Sequence, residues 1–75
     1  MEYVVVNYPK ARKVRVDGQD AGFTNETLRV EKGHHIFDLG DPRDYLPRSV
    51  VRNVQGTTTV GPLVIPDFHP SIGVV

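Results

Sequence analysis

The sequence has no cysteine, so neither a disulfide nor a thiolate metal site staples its 75 residues. It has no net charge either. Nine Lys and Arg offset nine Asp and Glu, and with a pI near 6.8 the bulk attraction that draws a protein to nucleic acid or anionic lipid is missing. Long apolar runs are also lacking. The opening stretch holds three consecutive valines, Val4 to Val6, where a secretory signal needs an apolar core of about 7 to 15 residues and a membrane helix about 18. Glu2 stands where a signal peptide carries a basic residue. If Met1 opens the native chain, these features place it in the cytoplasm. If the chain belongs to a longer protein, its compartment is open. No membrane span is expected.

What is present is a strand composition. Thirteen valines and three isoleucines make up more than half of the apolar residues, against four leucines and two alanines. Branching at Cβ crowds a helical turn and suits a pleated surface. Seven glycines and six prolines break every window long enough for a helical repeat. The reading is an all-β single domain: a small antiparallel β-sandwich of about six or seven short strands.

Period-two alternation places the strands. Tyr3 to Tyr8 turns Val4, Val6 and Tyr8 to one face and Tyr3 and Val5 to the other. Lys13 to Val16 puts Val14 and Val16 inward, and Asp17-Gly18 is a turn. A short piece from Ala21 to Thr24 returns beside it. Thr27 to Val30 follows, with Leu28 and Val30 inward, and then a turn at Lys32-Gly33. From His34 to Leu39, His35, Phe37 and Leu39 face the core. Gly40 to Arg48 is a loop, with two prolines and four charges in nine residues. Ser49 to Val54 and Thr59 to Ile65 read as a closing hairpin around Gln55-Gly56. Val54, Leu63 and Ile65 lie in its core, and the register of Val50 and Arg52 is unset. The domain spans 1–65, and 66–75 reads as an irregular C-terminal tail.

The order of these turns carries a resemblance. Pro9-Lys10-Ala11-Arg12, the strand Lys13-Val14-Arg15-Val16 ending in Asp17-Gly18, the corner Gly22-Phe23-Thr24-Asn25, Leu28-Arg29-Val30, Gly33-His34-His35 and Tyr45 follow one another as the motifs of the PEGA domain family do. The resemblance spans about residues 3 to 65 and extends to small stand-alone bacterial proteins of this type. Lys10, Ala11 and Arg12 replace the Glu, Gly and Ala of the name motif, and Asn25 replaces the usual Pro. The resemblance implies an immunoglobulin-like or prealbumin-like sandwich acting as an interaction or surface-layer module, with no catalytic residues to carry over.

Chemistry-bearing residues are few. Ser49 and Ser71 lie in no Gly-x-Ser-x-Gly elbow, so no enzyme is expected and no cofactor. Adjacent strand residues point to opposite faces, so His34 and His35 cannot share one zinc ion. His35 reads instead as a histidine at the core's edge beside Phe37 with both ring nitrogens bonded, His34 as solvent-facing and His69 as a tail residue. Asp38, Asp41 and Asp44 recur every third residue. They lack the spacing and closing glutamate of a calcium loop, and the plainer reading is a solvated acidic loop. Lys10, Arg12, Lys13 and Arg15 form a cation cluster that would track phosphates or, more simply, guard an edge strand.

The strongest candidate surface is the Gly40 to Arg48 loop. Arg43, Tyr45, Leu46 and Arg48 are residues that anchor interfaces or flank the anchors, held between Pro42 and Pro47. The plainer alternative for Tyr45 is a lid on the sandwich. The expected partner is a protein, or a second copy in a weak homodimer. A carbohydrate or other cell-envelope polymer is the alternative by family analogy, although paired exposed aromatics are missing. A nucleic-acid accessory role ranks last.

Overall fold

A computed structural model describes residues 1–71. In chain order its strands are β1 (Glu2–Val6), β2 (Lys13–Val16), β3 (Gln19–Phe23), β4 (Thr27–Val30), β5 (Gly33–Asp38), β6 (Tyr45–Leu46), β7 (Val50–Val54), β8 (Leu63–Ile65) and β9 (His69–Pro70). No helix occurs among the described residues. Seven strands form a small all-β sandwich, with sheets ordered β4-β1-β8 and β3-β2-β5-β7. The remaining pair, β6 and β9, makes a two-stranded ribbon beside them.

The alternation decides which faces meet. Val4, Val6, Leu28, Val30 and Ile65 from one sheet pack against Val14, Phe37, Val50 and Val54 from the other, with Tyr8 and Leu39 just beyond the strand ends. The β2–β3 hairpin closes through Asp17 at φ 53° and Gly18 at φ 84°. Positive φ at both positions makes the type I′ turn whose twist matches its strands. Val14 pairs with Gly22 but Arg15 with Asp20, so Ala21 is a bulge in β3. Gly22 sits at φ 147°, and a Cβ there would come within 2.5 Å of Leu28 Cδ2. No larger residue fits without moving a core side chain.

The Gly22-to-Asn25 corner ties β1 to the approach to β2. Buried Thr24 donates its hydroxyl to the Lys10 carbonyl (2.8 Å) and accepts the Arg12 N–H (2.9 Å). Asn25, at φ 64°, accepts the Tyr8 N–H and donates to the Tyr8 carbonyl. That φ is closed to proline, and the corner rests on these side-chain amide bonds.

Two expectations are corrected here. The segments expected as a closing hairpin lie in different sheets: β7 pairs with β5, while β8 runs parallel to β1, Val4 beside Leu63 and Val6 beside Ile65. The connection crosses the end of the sandwich, where Glu2 accepts both the Thr57 N–H (2.9 Å) and its hydroxyl (2.6 Å). Ile65 is buried as expected and Leu63 only half-buried. In β7, Val50 and Val54 face inward and Arg52 lies half-buried on the same side.

The boundary at residue 65 is also displaced. Phe68 is only 3 % exposed. Beyond it β9 pairs with β6, Tyr45 opposite Pro70 and Leu46 opposite His69, and the Ser71 N–H donates to the Asp44 carbonyl. The packed domain therefore runs through Ser71. The rest of the expected tail, 72–75, lies outside the described residues.

Candidate interaction surface

The Gly40 to Arg48 loop is fastened from beneath by Arg12, the residue leading into β2. Its Nη1 reaches Asp44 Oδ1 at 2.6 Å, and its Nη2 donates to the carbonyls of Pro42 (2.8 Å) and Leu39 (3.4 Å). The guanidinium also lies 5.3 Å from the Tyr45 ring centroid and 5.9 Å from that of Tyr8, within cation–π range. The side chain is only 11 % exposed. Beside it the Asp44 carboxyl is held below its ordinary pKa by the Arg12 hydrogen bond. Prolines and charges signal a loop in this stretch without revealing that Arg12 is its anchor. The cation sits in a run of basic residues and reads as one more surface charge.

Tyr45 does not belong to the contact surface. It is 3 % exposed, its hydroxyl accepts the Leu39 N–H at 3.2 Å, and its ring meets Phe68 edge to face at 5.7 Å. The lid reading is the one that fits. Leu46, the next residue of β6, points the other way and is 47 % exposed. Arg43 and Arg48 are exposed too, Arg43 lying 3.7 Å from Asp41. Of the four residues expected to carry the surface, Arg43, Leu46 and Arg48 remain.

The cation cluster is divided. Arg12 is turned inward, Lys13 pairs with Asp20 at 3.3 Å, and Arg15 approaches Asp38 at 3.8 Å while donating to the Gly18 carbonyl. An open cleft of about 490 Å³ beside these residues is lined by Lys13, Arg15, Asp20 and Asp41, so its walls carry both signs of charge. A stripe tracking phosphates needs one sign. The three aspartates of the acidic loop are likewise spent on different cations: Asp38 on Arg15, Asp41 on Arg43 and Asp44 on Arg12.

His35 lies where its spacing suggests, edge to face with Phe37 at 6.3 Å. Its Nδ1 is 2.6 Å from Asp17 Oδ2 and its Nε2 is 2.6 Å from the Glu31 carbonyl. Asp17 Oδ1 accepts the Ile36 N–H at 2.9 Å. The Asp17 bond raises the His35 pKa, and the carboxyl of Asp17 is lowered, first by the Ile36 N–H and then by His35. A shallow cleft of about 390 Å³ lies alongside, between β3 and β4. Its described lining, drawn from Val16 to Ala21, Arg29 to Glu31 and His35, includes no serine or threonine. His34 and His69 are exposed. Among the described residues no three His, Asp or Glu side chains gather as a metal site.

Comparison with protein-family models, with curated proteins and with solved structures finds no match to this chain.

Proposed function

We propose that the chain is a non-catalytic PEGA-like interaction module that binds a protein partner through the outer surface of the Gly40 to Arg48 loop. The observation that carries this reading is the bracing of the loop. Arg12, Tyr45 and Phe68 hold it from within, while Leu46 stands exposed between Arg43 and Arg48. A loop already held in one conformation loses little freedom on binding. An apolar side chain flanked by guanidiniums fits a partner with a small apolar pocket rimmed by carboxylates. The order of motifs from Pro9 to Tyr45 supports the family reading. The internally paired cations weigh against nucleic acid, and the burial of Tyr45 takes from the loop its one aromatic for stacking on a sugar.

A photoreactive residue at position 46 tests the proposal, with position 60 as the reference because Val60 is 93 % exposed and lies outside the loop. In host extract one protein adduct is expected at 46 and not at 60, lost when Arg43 and Arg48 are both changed to Ala. Equal labelling from both positions would sink the reading.

A further inference from the structure

The four-stranded sheet has two edges of opposite character. β3 is bulged at Ala21 and carries Asp20 beside Lys13. β7 has five residues, no proline, no bulge and no acidic residue. In the other sheet, edge strand β8 is three residues long between Pro62 and Pro66, and edge strand β4 carries Arg29 outward between Glu26 and Glu31. Short strands, prolines, bulges and charges are the usual protection of a sheet edge. Three edges have one or more of them, and β7 has a lone arginine.

The backbone of β7 is set for pairing. Opposed residues in an antiparallel ladder alternately exchange both hydrogen bonds and none. Ile36 donates its N–H to Asp17 Oδ1 and accepts the Asp17 N–H at its carbonyl, both toward β2. Ile36 and Val51 are therefore a non-bonded pair, and the N–H and C=O of Val51 point out of the sheet. Those of Asn53, two residues on, point the same way. Arg52 Nη1 reaches around the strand to the outward Val51 carbonyl at 3.0 Å, as this geometry requires. On the sheet's outer face Ile36 and Val51 lie side by side, 47 % and 56 % exposed.

We infer that β7 is the contact of a two-fold homodimer, in which β7 of one copy pairs antiparallel with β7 of another, centred on Val51. This surface is separate from the 40–48 loop. The register follows from the side chains. Facing residues must share a face of the sheet, so the axis passes a residue rather than a gap. Centring on Arg52 sets two guanidiniums opposite one another, which is destabilising. Centring on Asn53 faces Val51 with Gln55, next to the turn at Gly56. Centring on Val51 sets valine against valine, flanked on each side by Ile36. It lets Val51 exchange both backbone bonds with its twin, and Ser49 do the same with Asn53. Arg52 then opposes Val50 on the inner face and keeps Asp67, 2.5 Å from its Nη2, giving up only the Val51 carbonyl. With zero net charge two copies do not repel each other, and the four-stranded sheets run on as one.

The contact is a single short strand and a few side chains, below the size of a stable interface, so dissociation in the range of about 10 µM to 1 mM is expected. Sedimentation equilibrium of the full chain across that range should show monomer passing to dimer, and the amide resonances of Val51 and Asn53 should shift along the same curve. Val51→Lys places like charges on the axis and should weaken association at least tenfold. Asn53→Pro deletes an N–H that points out of the sheet and has no partner among the described residues, and should weaken it as well. Val60→Lys should leave it unchanged. A single monomeric species at every concentration overturns the proposal and leaves this edge to a different chain. Association as strong in Val51→Lys and Asn53→Pro as in the parent, or loss of the dimer in Val60→Lys, overturns it equally, and none of these results bears on labelling at position 46.

Discussion

The seven strands of the sandwich are held together by ladders, and the segments that connect and follow them from Gly40 on mostly by single side chains. β1 with β4 and β8, β2 with β3 and β5, and β5 with β7 share runs of backbone bonds over a common apolar core. Segments 40–48, 55–62 and 66–71 rest mostly on individual contacts: Arg12 on Asp44, Glu2 on Thr57, Tyr45 on Phe68 and Arg52 on Asp67. A ladder under a shared core melts as one unit, whereas a segment docked by one or two side chains opens below the global unfolding free energy. The sandwich strands are thus the scaffold and the 40–48 loop with the 66–71 segment its docked cover, with the proposed partner surface on the cover.

The sharpest way to expose the scaffold is Phe37→Ala. Phe37 is fully buried at the centre of the four-stranded sheet, and its loss should cost roughly 3 to 5 kcal/mol in transfer and cavity terms. That is most of the stability of a domain this small. Denaturant melts should show one cooperative transition moved far down, with loop and core reporters moving together. A mutant melting within a few degrees of the parent would mean that the core does not depend on this ring.

Arg12→Ala should separate the cover from the scaffold instead. It strips Asp44 and two loop carbonyls of their donor and should cost roughly 1.5 to 3 kcal/mol, the range of bonds to charged groups. Hydrogen exchange is expected to quicken first at Leu39 and Ser71, whose amides bond Tyr45 and Asp44, while the β2–β5 amides stay protected. Arg12→Lys should rescue little, because an ammonium cannot span several acceptors and two rings at once. Uniform loss of protection across both parts would break the distinction between scaffold and cover.

A related division explains what was legible in the sequence. In β1, β2, β4 and β5 the inward set is printed locally as alternation, and the Asp17-Gly18 turn announces its hairpin by chemistry. Parity places His35 beside Phe37, and the need of a largely buried ring for partners implies bonded nitrogens without naming Asp17 or Glu31. From Gly40 on the deciding contacts span long separations. Leu63–Ile65 alternates identically whether it pairs with β7 or parallel to β1, so the pattern does not choose. Phe68 is a lone aromatic among prolines and gives no period to follow. The candidate surface was found through its prolines and arginines, but the inward turn of Tyr45 depends on Phe68 and Arg12, both remote from the loop in sequence.

The smallest expected effect is one of pH, and it acts at the seam where the β2–β3 turn meets β5. Both nitrogens of His35 face acceptors, the Asp17 carboxylate and the Glu31 carbonyl, at 2.6 Å each. Only the imidazolium can donate from both nitrogens, so these two acceptors favour the charged ring. Its folded-state pKa is raised, chiefly by Asp17 and against the effect of burial. Its stabilisation is then fully present below the unfolded value of about 6.5 and is lost as pH rises through the folded value. Asp17 works in the opposite sense. Its folded pKa is lowered, first by the Ile36 N–H and next by His35, so its contribution is present above about 3.9 and is lost as pH falls through the folded value. Together they set a plateau between about pH 4 and 6.5 with a decline on the alkaline side. Because Asp17 is half exposed, solvent screens the pair and the decline should amount to a few degrees at most. Melting temperatures of the parent and of His35→Gln from pH 5 to 8.5 measure it. The parent should lose its advantage over the variant as pH rises, and parallel curves would show that the imidazolium does not fasten this seam.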